Sequence, residues 1–313
     1  MEKNSAGSAS LPLTEQENPR SANLSSSSIE EIVTLMNDED AQVAAAVQLV
    51  LPQVTKAVSG IVERLQHTGR LFYIGTGTSG RLGVLDASEC PPTFGVSPEV
   101  VQAIIAGGYD ACHRAVEASE DNAEAGREDL RKRGFNKNDA LVGIAASGRT
   151  PYTVGALKYA REMESFTVAL TCVPGSPITA VAEVSIVPIV GPEVVTGSTR
   201  LKAGTAQKMV LNMISTATIT KLGYVTGNRM TNMHTRNQKL HARAIRTLMK
   251  EAGLDESAAA ASLEKANGNL PAALLMAQTG SSLKDAERAL AAAGGVVARA
   301  TEIYRATKSL SAK

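Results

Sequence analysis

The chain is organised around one stretch, Leu71-Phe72-Tyr73-Ile74-Gly75-Thr76-Gly77-Thr78-Ser79-Gly80-Arg81-Leu82-Gly83, which passes from apolar residues into glycines and hydroxyls. The apolar part is typical of a buried strand, and apolar residues at helical spacing begin after the loop. Such a loop at a helix start directs unpaired backbone N–H groups and the positive end of the helix dipole to one spot. The stretch therefore predicts a strand–loop–helix unit that binds an anion, most often a phosphate.

The glycines of this loop also fit the GxGxxG fingerprint of dinucleotide-binding folds, with Gly75, Gly77 and Gly80 at the required spacing. The next predicted strand, 102–106, ends near Asp110, which could bind a ribose, so the spacing leaves a dinucleotide open. The loop hydroxyls favour a small phosphate ester instead, because pyrophosphate fingerprints use mostly backbone N–H groups.

Between residues 70 and 221 the pattern alternates strand and helix, which is typical of a parallel sheet covered on both faces. The predicted strands are 71–75, 102–106, 140–146, 166–172 and 184–190, and the predicted helices lie near 80–89, 111–133, 151–164 and 203–222. In such sheets ligands bind beyond the carboxyl ends of the strands, where the connecting loops gather.

Two later loops repeat the hydroxyl and glycine composition, one at 147–151 and one at 191–205. Each alone is explained as a helix cap. Three such loops at one end of a sheet predict a shared polar pocket, and four cations on them suit a phosphate: Arg81, Arg149, Arg200 and Lys202. A small phosphorylated metabolite is therefore favoured over a dinucleotide, which needs only the first loop.

The composition and charge of the chain exclude several classes of function. The chain has 313 residues and a net charge of +1 with both signs scattered, so no basic surface indicates nucleic acid. Three cysteines lack metal-ligand spacing, and neither a signal peptide nor a long apolar span is visible. We expect a soluble cytoplasmic protein without membrane or nucleic-acid partners.

The sequence predicts three segments: a tail, a main domain and a C-terminal subdomain. Residues 1–27 are polar and rich in serine, and we expect a disordered tail. The main domain is predicted over 28–250. It opens with a capping box at Ser28 and Glu31, and its apolar helical arm, interrupted near Pro52, is suited to packing or dimer contact. Residues 251–313 predict a small helical subdomain.

Two long motifs carry a resemblance to a known family. Residues 75–95, which include Asp86-Ala87-Ser88-Glu89-Cys90-Pro91-Pro92, and residues 191–208 resemble the signatures of N-acetylmuramic acid 6-phosphate etherases. The resemblance runs from about residue 28 to the C-terminus. It implies a sugar isomerase (SIS) domain, a three-layer αβα sandwich with a central parallel sheet, closed by a UBA-like helical bundle. Leu201 stands where the family has Met.

The resemblance implies a lyase that cleaves the ether between D-lactate and carbon 3 of N-acetylmuramic acid 6-phosphate in peptidoglycan recycling. It implies no metal or redox cofactor, and a homodimer. Glu89 matches the family's catalytic acid/base, and Glu120 matches its second catalytic glutamate. From spacing alone neither stands out: Glu120 fits a solvated helix face, and Glu89 fits an ordinary last-turn residue.

Seven residues are predicted to bind the phosphorylated amino sugar. Phosphate donors are Thr78, Ser79, Ser147 and Thr150, and the residues that close the pocket are Ser198, Thr199 and Lys202. The histidines, among them His234, have no metal-ligand spacing. Three alternatives remain: a sugar-phosphate sensor without catalysis, a phosphosugar isomerase and a dinucleotide oxidoreductase.

Overall fold

The computed structural model describes residues 11–116, 120–232 and 238–311. Most of the chain falls into two compact units, one formed by Met1–Asp86 and Gln102–Ile214 and the other by Ala87–Val101 and Ser215–Lys313. His234 and the first ten residues of the predicted tail lie outside the described residues. No single described helix is long and apolar enough to cross a membrane. The helical segments Ile29–Gln48 and Leu51–Gln66 are long and apolar enough only when taken together, and they are bent by 58° at the break between them.

The first unit is built on a five-stranded sheet in the order β2-β1-β3-β4-β5. Its strands are β1 (Leu71–Gly75), β2 (Val101–Ile105), β3 (Ala140–Ile144), β4 (Phe166–Leu170) and β5 (Val184–Ile186). β3 pairs in parallel with β1 and with β4, and β4 pairs in parallel with β5. The predicted parallel α/β sheet is confirmed, although β3, β4 and β5 end earlier than predicted.

The helices around this sheet are α1 (Ile29–Asp40), α2 (Val43–Gln48), α3 (Leu51–Gln66), α4 (Gly77–Phe94), α5 (Ala123–Lys132), α6 (Pro151–Glu162), α7 (Pro177–Val181) and α8 (Lys202–Lys221). The predicted capping box is confirmed: the Ser28 hydroxyl accepts from Glu31 N, and Ser28 N donates to the Glu31 carboxylate. Pro52 lies in the first turn of α3, where a missing N–H costs no helical bond.

The sheet has helices on both faces. A Cβ placed on Gly60 of α3 would meet the ring of Phe166, and a Cβ placed on Gly143 would lie 2.7 Å from Leu157 of α6. Phe166 pairs with Ala140, which is three residues from Gly143, so these two positions point to opposite faces of the sheet. Helices α3 and α6 therefore form the outer layers, which explains why β1 and β3 are buried along their whole length.

The second unit is mainly helical. Its described elements beyond Ser215 include the strands β6 (Val225–Thr226) and β7 (Arg229–Met230) and the helices α9 (Gln238–Ala252), α10 (Glu256–Lys265), α11 (Leu270–Thr279), α12 (Leu283–Ala292) and α13 (Val297–Ser311). Alanines and leucines fill its core, and Ala244 and Leu248 of α9 belong to that core. Helix α9 thus packs with the C-terminal helices, although the sequence predicted a boundary at residue 250.

Residues 11–27 differ from the predicted disordered tail. They form three short 3-10 helices, Leu13–Glu15, Pro19–Ser21 and Leu24–Ser26. Asn18 is buried, and its amide donates to Glu39 Oε2 over 2.9 Å and to the carbonyl oxygen of Pro192 over 3.3 Å. Composition could not reveal these partners, because they lie 21 and 174 residues away in sequence.

Glu39 is the centre of a buried ionic cluster in the first unit. Its Oε2 lies 2.5 Å from Lys202 Nζ, both side chains are 5% exposed or less, and its Oε1 accepts from Arg20 over 2.8 Å. Burial raises the pKa of Glu39, but Lys202, Asn18 and Arg20 outweigh it and hold the pKa below the ordinary value of 4.5. The cluster joins the N-terminal segment, α1 and α8.

We predict that Glu39→Gln destabilises the protein by about 3 kcal/mol at pH 7, because it leaves the Lys202 ammonium buried without its counter-charge. Urea unfolding followed by circular dichroism measures the effect. Glu183→Gln is the matched control, since it breaks a half-exposed pair with Arg161 and should cost no more than about 1 kcal/mol. Equal losses in the two variants would contradict the prediction.

The difference in stability between the wild type and Glu39→Gln should also depend on pH. The pKa of Glu39 is lower in the folded than in the unfolded state, so its stabilisation is present above the ordinary value of 4.5 and is lost as the pH falls through the lowered pKa. The stability gap between wild type and Glu39→Gln should be full at pH 7 and narrow below about pH 4. A gap that widens on acidification would refute the assignment.

Candidate functional site

The first loop is shaped by close contact between helix α4 and the sheet. A Cβ on Gly80 would lie 2.7 Å from the carbonyl oxygen of Gly75 and 2.7 Å from Ile105, and Gly77 has a φ of +48°. The bond from Gly80 N to Thr76 O, 3.0 Å, is the first along α4, so the three preceding amides have no acceptor within the helix. These amides lie at the end of β1, where the sequence predicts that an anion binds; the binding itself stays a prediction.

Thr78 and Ser79 lie where this loop meets the first turns of α8. The Ser79 hydroxyl is nearly buried and donates to Gln207 Oε1 over 3.1 Å. Thr78 is partly exposed, and its methyl carbon lies 3.6 Å from the position of a Cβ on Gly204. The structure therefore brings the first loop against the end of the third loop, which precedes α8.

Glu120 lies between the first and second loops. Its Oε1 is 3.5 Å from the position of a Cβ on Gly77, and its backbone carbonyl accepts from Tyr152 N over 3.0 Å. The sequence predicted a helix over 111–133, but α5 begins at Ala123 behind the N-cap Asn122, so Glu120 precedes the helix. Glu120 therefore does not lie on a solvated helix face, the alternative considered from its spacing, but beside the first loop.

The second loop leaves the sheet beside the first, because Gly75 pairs with Ile144 at the ends of β1 and β3. Ser147 is partly exposed and its Oγ accepts from Arg149 N over 3.3 Å. Thr150 is the N-cap of α6 and makes no side-chain capping bond. Both predicted hydroxyl donors thus sit at the rim of the loop with side chains that solvent can reach.

The third loop holds Ser198 and Thr199, both partly exposed. Backbone bonds close the loop: Ser198 N donates to Val195 O over 2.9 Å, and Thr199 N donates to Gly197 O over 3.0 Å. Lys202, also predicted here, points its ammonium at Glu39. Its predicted contact with substrate stays a prediction, and in this structure its charge is paired within the fold.

Glu193 has a structural role in this loop that the sequence did not reveal. It is buried, and its two carboxylate oxygens accept from Lys202 N and Ala203 N, each over 3.0 Å. Burial raises the pKa of Glu193, while these two amides and the Lys202 charge oppose the rise. The carboxylate occupies the N-terminus of α8, so that helix end already carries an anion of the protein itself.

Glu89 stands apart from the loops along the chain. It is exposed on α4, twelve residues beyond Gly77, which corresponds to about 18 Å along the helix axis at 1.5 Å per residue. It belongs to the second compact unit, whereas the loops and Glu120 belong to the first. Glu120 lies beside Gly77 of the first loop, and Glu89 lies twelve residues further along α4.

The described part of the chain has no metal-ligand cluster and one cysteine whose pKa is strongly raised. No group of three or more His, Cys, Asp or Glu side chains there could hold a metal ion. Burial, with the nearby Glu193 charge, raises the pKa of the Cys172 thiol to about 12, so this cysteine is not a reactive thiolate at neutral pH.

The chain is similar to known proteins that contain a SIS domain or that act on phosphosugars by name. The family described as glucokinase regulatory protein N-terminal SIS domain matches residues 53–161. Phosphoheptose isomerase from Neisseria gonorrhoeae is similar in structure at 19% identity, over 62% of this chain and 100% of that chain, with a TM-score of 0.48.

Two relatives are far more similar in sequence. N-acetylmuramic acid 6-phosphate etherase 2 of Vibrio cholerae is 48% identical over 93% of this chain and 94% of its own. N-acetylmuramic acid 6-phosphate etherase of Clostridium beijerinckii is 51% identical over 84% of this chain and 86% of its own. Identity of this extent over nearly the whole length places the chain in the N-acetylmuramic acid 6-phosphate etherase family.

Proposed function

We propose that this protein is an N-acetylmuramic acid 6-phosphate etherase, a carbon–oxygen lyase that releases D-lactate and N-acetylglucosamine 6-phosphate during peptidoglycan recycling. The observation that carries the proposal is the near-full-length identity to relatives that bear this name. The geometry supports it, because a carboxylate, Glu120, lies beside the amides of an anion-binding loop.

The substrate phosphate is held at the N-terminus of α4. The free amides of its first turn and the dipole attract the dianion, and the hydroxyls of Thr78, Ser147 and Thr150 surround it. Hydrogen bonds from these groups to a dianion are charge-assisted and are therefore stronger than neutral ones. Ser198 and Thr199 close the pocket from the third loop.

The reaction is an elimination followed by hydration. The sugar ring opens to the aldehyde, a base removes the proton on carbon 2, and the bond between carbon 3 and the lactate oxygen breaks as that oxygen takes up a proton. Water then adds to carbon 3 of the unsaturated aldehyde. We assign the carbon 2 proton to Glu120, which lies beside the phosphate loop, and the lactate oxygen and the water to Glu89.

The assignment of Glu89 leads us to propose a homodimer with shared sites. Glu89 is exposed on α4, so a neighbouring chain can reach it. In the homodimer that we propose, Glu89 acts on substrate held by the loops of a second copy. The N-terminal arm supplies exposed apolar side chains suited to such pairing: Ile29, Val33, Leu49 and Leu51.

We place the reaction in the cytoplasm. Cys90, Cys112 and Cys172 form no disulfide bond with one another, as expected of cysteines in a reducing compartment.

We expect Glu89→Gln and Glu120→Gln each to lower lactate release by about 100-fold or more, the usual contribution of a general acid or base. The assay follows D-lactate by mass spectrometry in water enriched in oxygen-18, where the wild-type product carries the label on carbon 3. Glu124→Gln, at an exposed position in the first turn of α5, is the matched control and should keep full activity.

The same assay separates the etherase from a sensor. The match to a domain of a regulatory protein makes a non-catalytic sugar-phosphate sensor the rival function. Wild-type protein that binds the sugar phosphate yet releases no lactate would favour the sensor. Isomerised sugar without lactate would favour a phosphosugar isomerase.

Mixing the two inactive variants tests the shared site. If Glu89 of one chain serves the loops of the other, each mixed dimer of Glu89→Gln and Glu120→Gln regains one intact site of two. Random pairing should then restore about one quarter of wild-type activity, because about half of the dimers are mixed. If each chain used its own Glu89, every site would still lack one glutamate and no activity would return.

A further inference from the structure

Gln207 is a buried amide with one end unsatisfied. It lies in the second turn of α8, is fully buried, and its Oε1 accepts from the Ser79 hydroxyl over 3.1 Å. Its Nε2 is buried and has no hydrogen-bond partner among the described residues. A buried amide without a partner is costly, and native structures keep few of them, so this one calls for an explanation.

The bond to Gln207 also uses the only hydrogen of the Ser79 hydroxyl. A serine hydroxyl donates once and can accept twice. While Ser79 donates to Gln207 Oε1, it has no hydrogen left for an anion at the N-terminus of α4. The arrangement described therefore conflicts with the role predicted for Ser79, although its place in the first turn of α4 suits that role.

Turning the amide resolves the second difficulty and leaves an acceptor rather than a donor at the unsatisfied buried end, which is the less costly of the two. The two ends of a glutamine side chain have nearly the same shape, so a half-turn about its last torsion exchanges Oε1 and Nε2 within the same space. Nε2 then donates to Ser79 Oγ, which accepts through a lone pair. The Ser79 hydrogen becomes free to point toward the anion site.

We infer that Gln207 is a positioning residue for phosphate recognition: in the anion-bound state its amide nitrogen donates to Ser79 Oγ, and Ser79 donates to the phosphate. The inference rests on the proposed binding of a phosphorylated sugar. The two hydrogen bonds run in series from the Gln207 N–H to the Ser79 hydroxyl and from that hydroxyl to a charged phosphate oxygen. In a buried setting each of these bonds polarises the other. Gln207 thereby acts on a substrate that it does not touch.

Substitutions at position 207 separate this role from simple packing. Gln207→Glu keeps the size of the side chain but supplies only acceptor oxygens when ionised, so it holds the Ser79 hydrogen and adds a negative charge near the phosphate. Gln207→Met keeps the length and removes both polar ends. Lys208→Met, at the exposed neighbouring position, is the control.

The experiment is calorimetric titration of N-acetylglucosamine 6-phosphate into wild type, the two Gln207 variants, Ser79→Ala and the double variant Ser79→Ala/Gln207→Met. We expect both Gln207 variants to weaken binding at least tenfold, and Gln207→Met to change it less than twofold when Ser79 is already alanine. In turnover assays KM should rise while kcat stays within about twofold, as for a loss of uniform binding. Binding to Lys208→Met should equal that of wild type.

Two results would overturn the inference. One is wild-type affinity in Gln207→Glu, and the other is an equal loss from Gln207→Met with Ser79 present or absent. Thermal unfolding checks that each variant is folded. The Gln207→Glu variant, which has the size of the wild-type side chain, keeps the test valid if Gln207→Met fails to fold. Because the titration uses a phosphosugar and does not depend on lactate release, it can succeed or fail separately from the proposed etherase activity.

Discussion

The close approach of helix α4 to the sheet is the constraint on which the site depends. Three glycines make it possible. A Cβ on Gly75 would lie 2.8 Å from the carbonyl oxygen of Ile144, one on Gly80 would lie 2.7 Å from that of Gly75, and one on Gly83 would lie 3.0 Å from Tyr73. Side chains at these positions would push the helix off the strands and move its free amides away from the end of β1. Gly75 and Gly80 of the GxGxxG pattern thus reflect helix–sheet packing, a requirement that phosphosugar and dinucleotide sites share.

The parts of the fold that the sequence predicted well are those set by burial. Each predicted strand exists and starts within one residue of its predicted position, because a parallel strand covered on both faces is a continuous apolar run. Strand ends were less predictable. Ala145 and Ala146 are buried beyond the end of β3, so the apolar run continues into a loop and does not show where the ladder stops.

Long-range polar partners explain most of what the sequence could not show. The cations predicted to bind phosphate include Lys202, which pairs with Glu39, and Arg81, which donates to the carbonyl oxygens of Ala111 and Arg114. Their types and positions were visible in the sequence, but their partners lie far away along the chain. The same holds for Asn18, whose amide orders a polar segment that composition alone predicts to be disordered. The proposed phosphate site therefore relies on helix amides and hydroxyls more than on these two charges.

The two helix N-termini at this edge of the sheet differ in what their first amides bind, and this difference supports the proposed place of the phosphate. Helix α8 begins with two amides bonded to Glu193, and these amides and the Lys202 charge oppose the rise in its pKa that burial causes. An external phosphate there would have to displace a buried carboxylate. Helix α4 begins with glycine, threonine and serine, and no carboxylate is bonded to its first amides among the described contacts. We therefore propose that the phosphate binds at α4, while α8 contributes through Gln207 and its bond to Ser79.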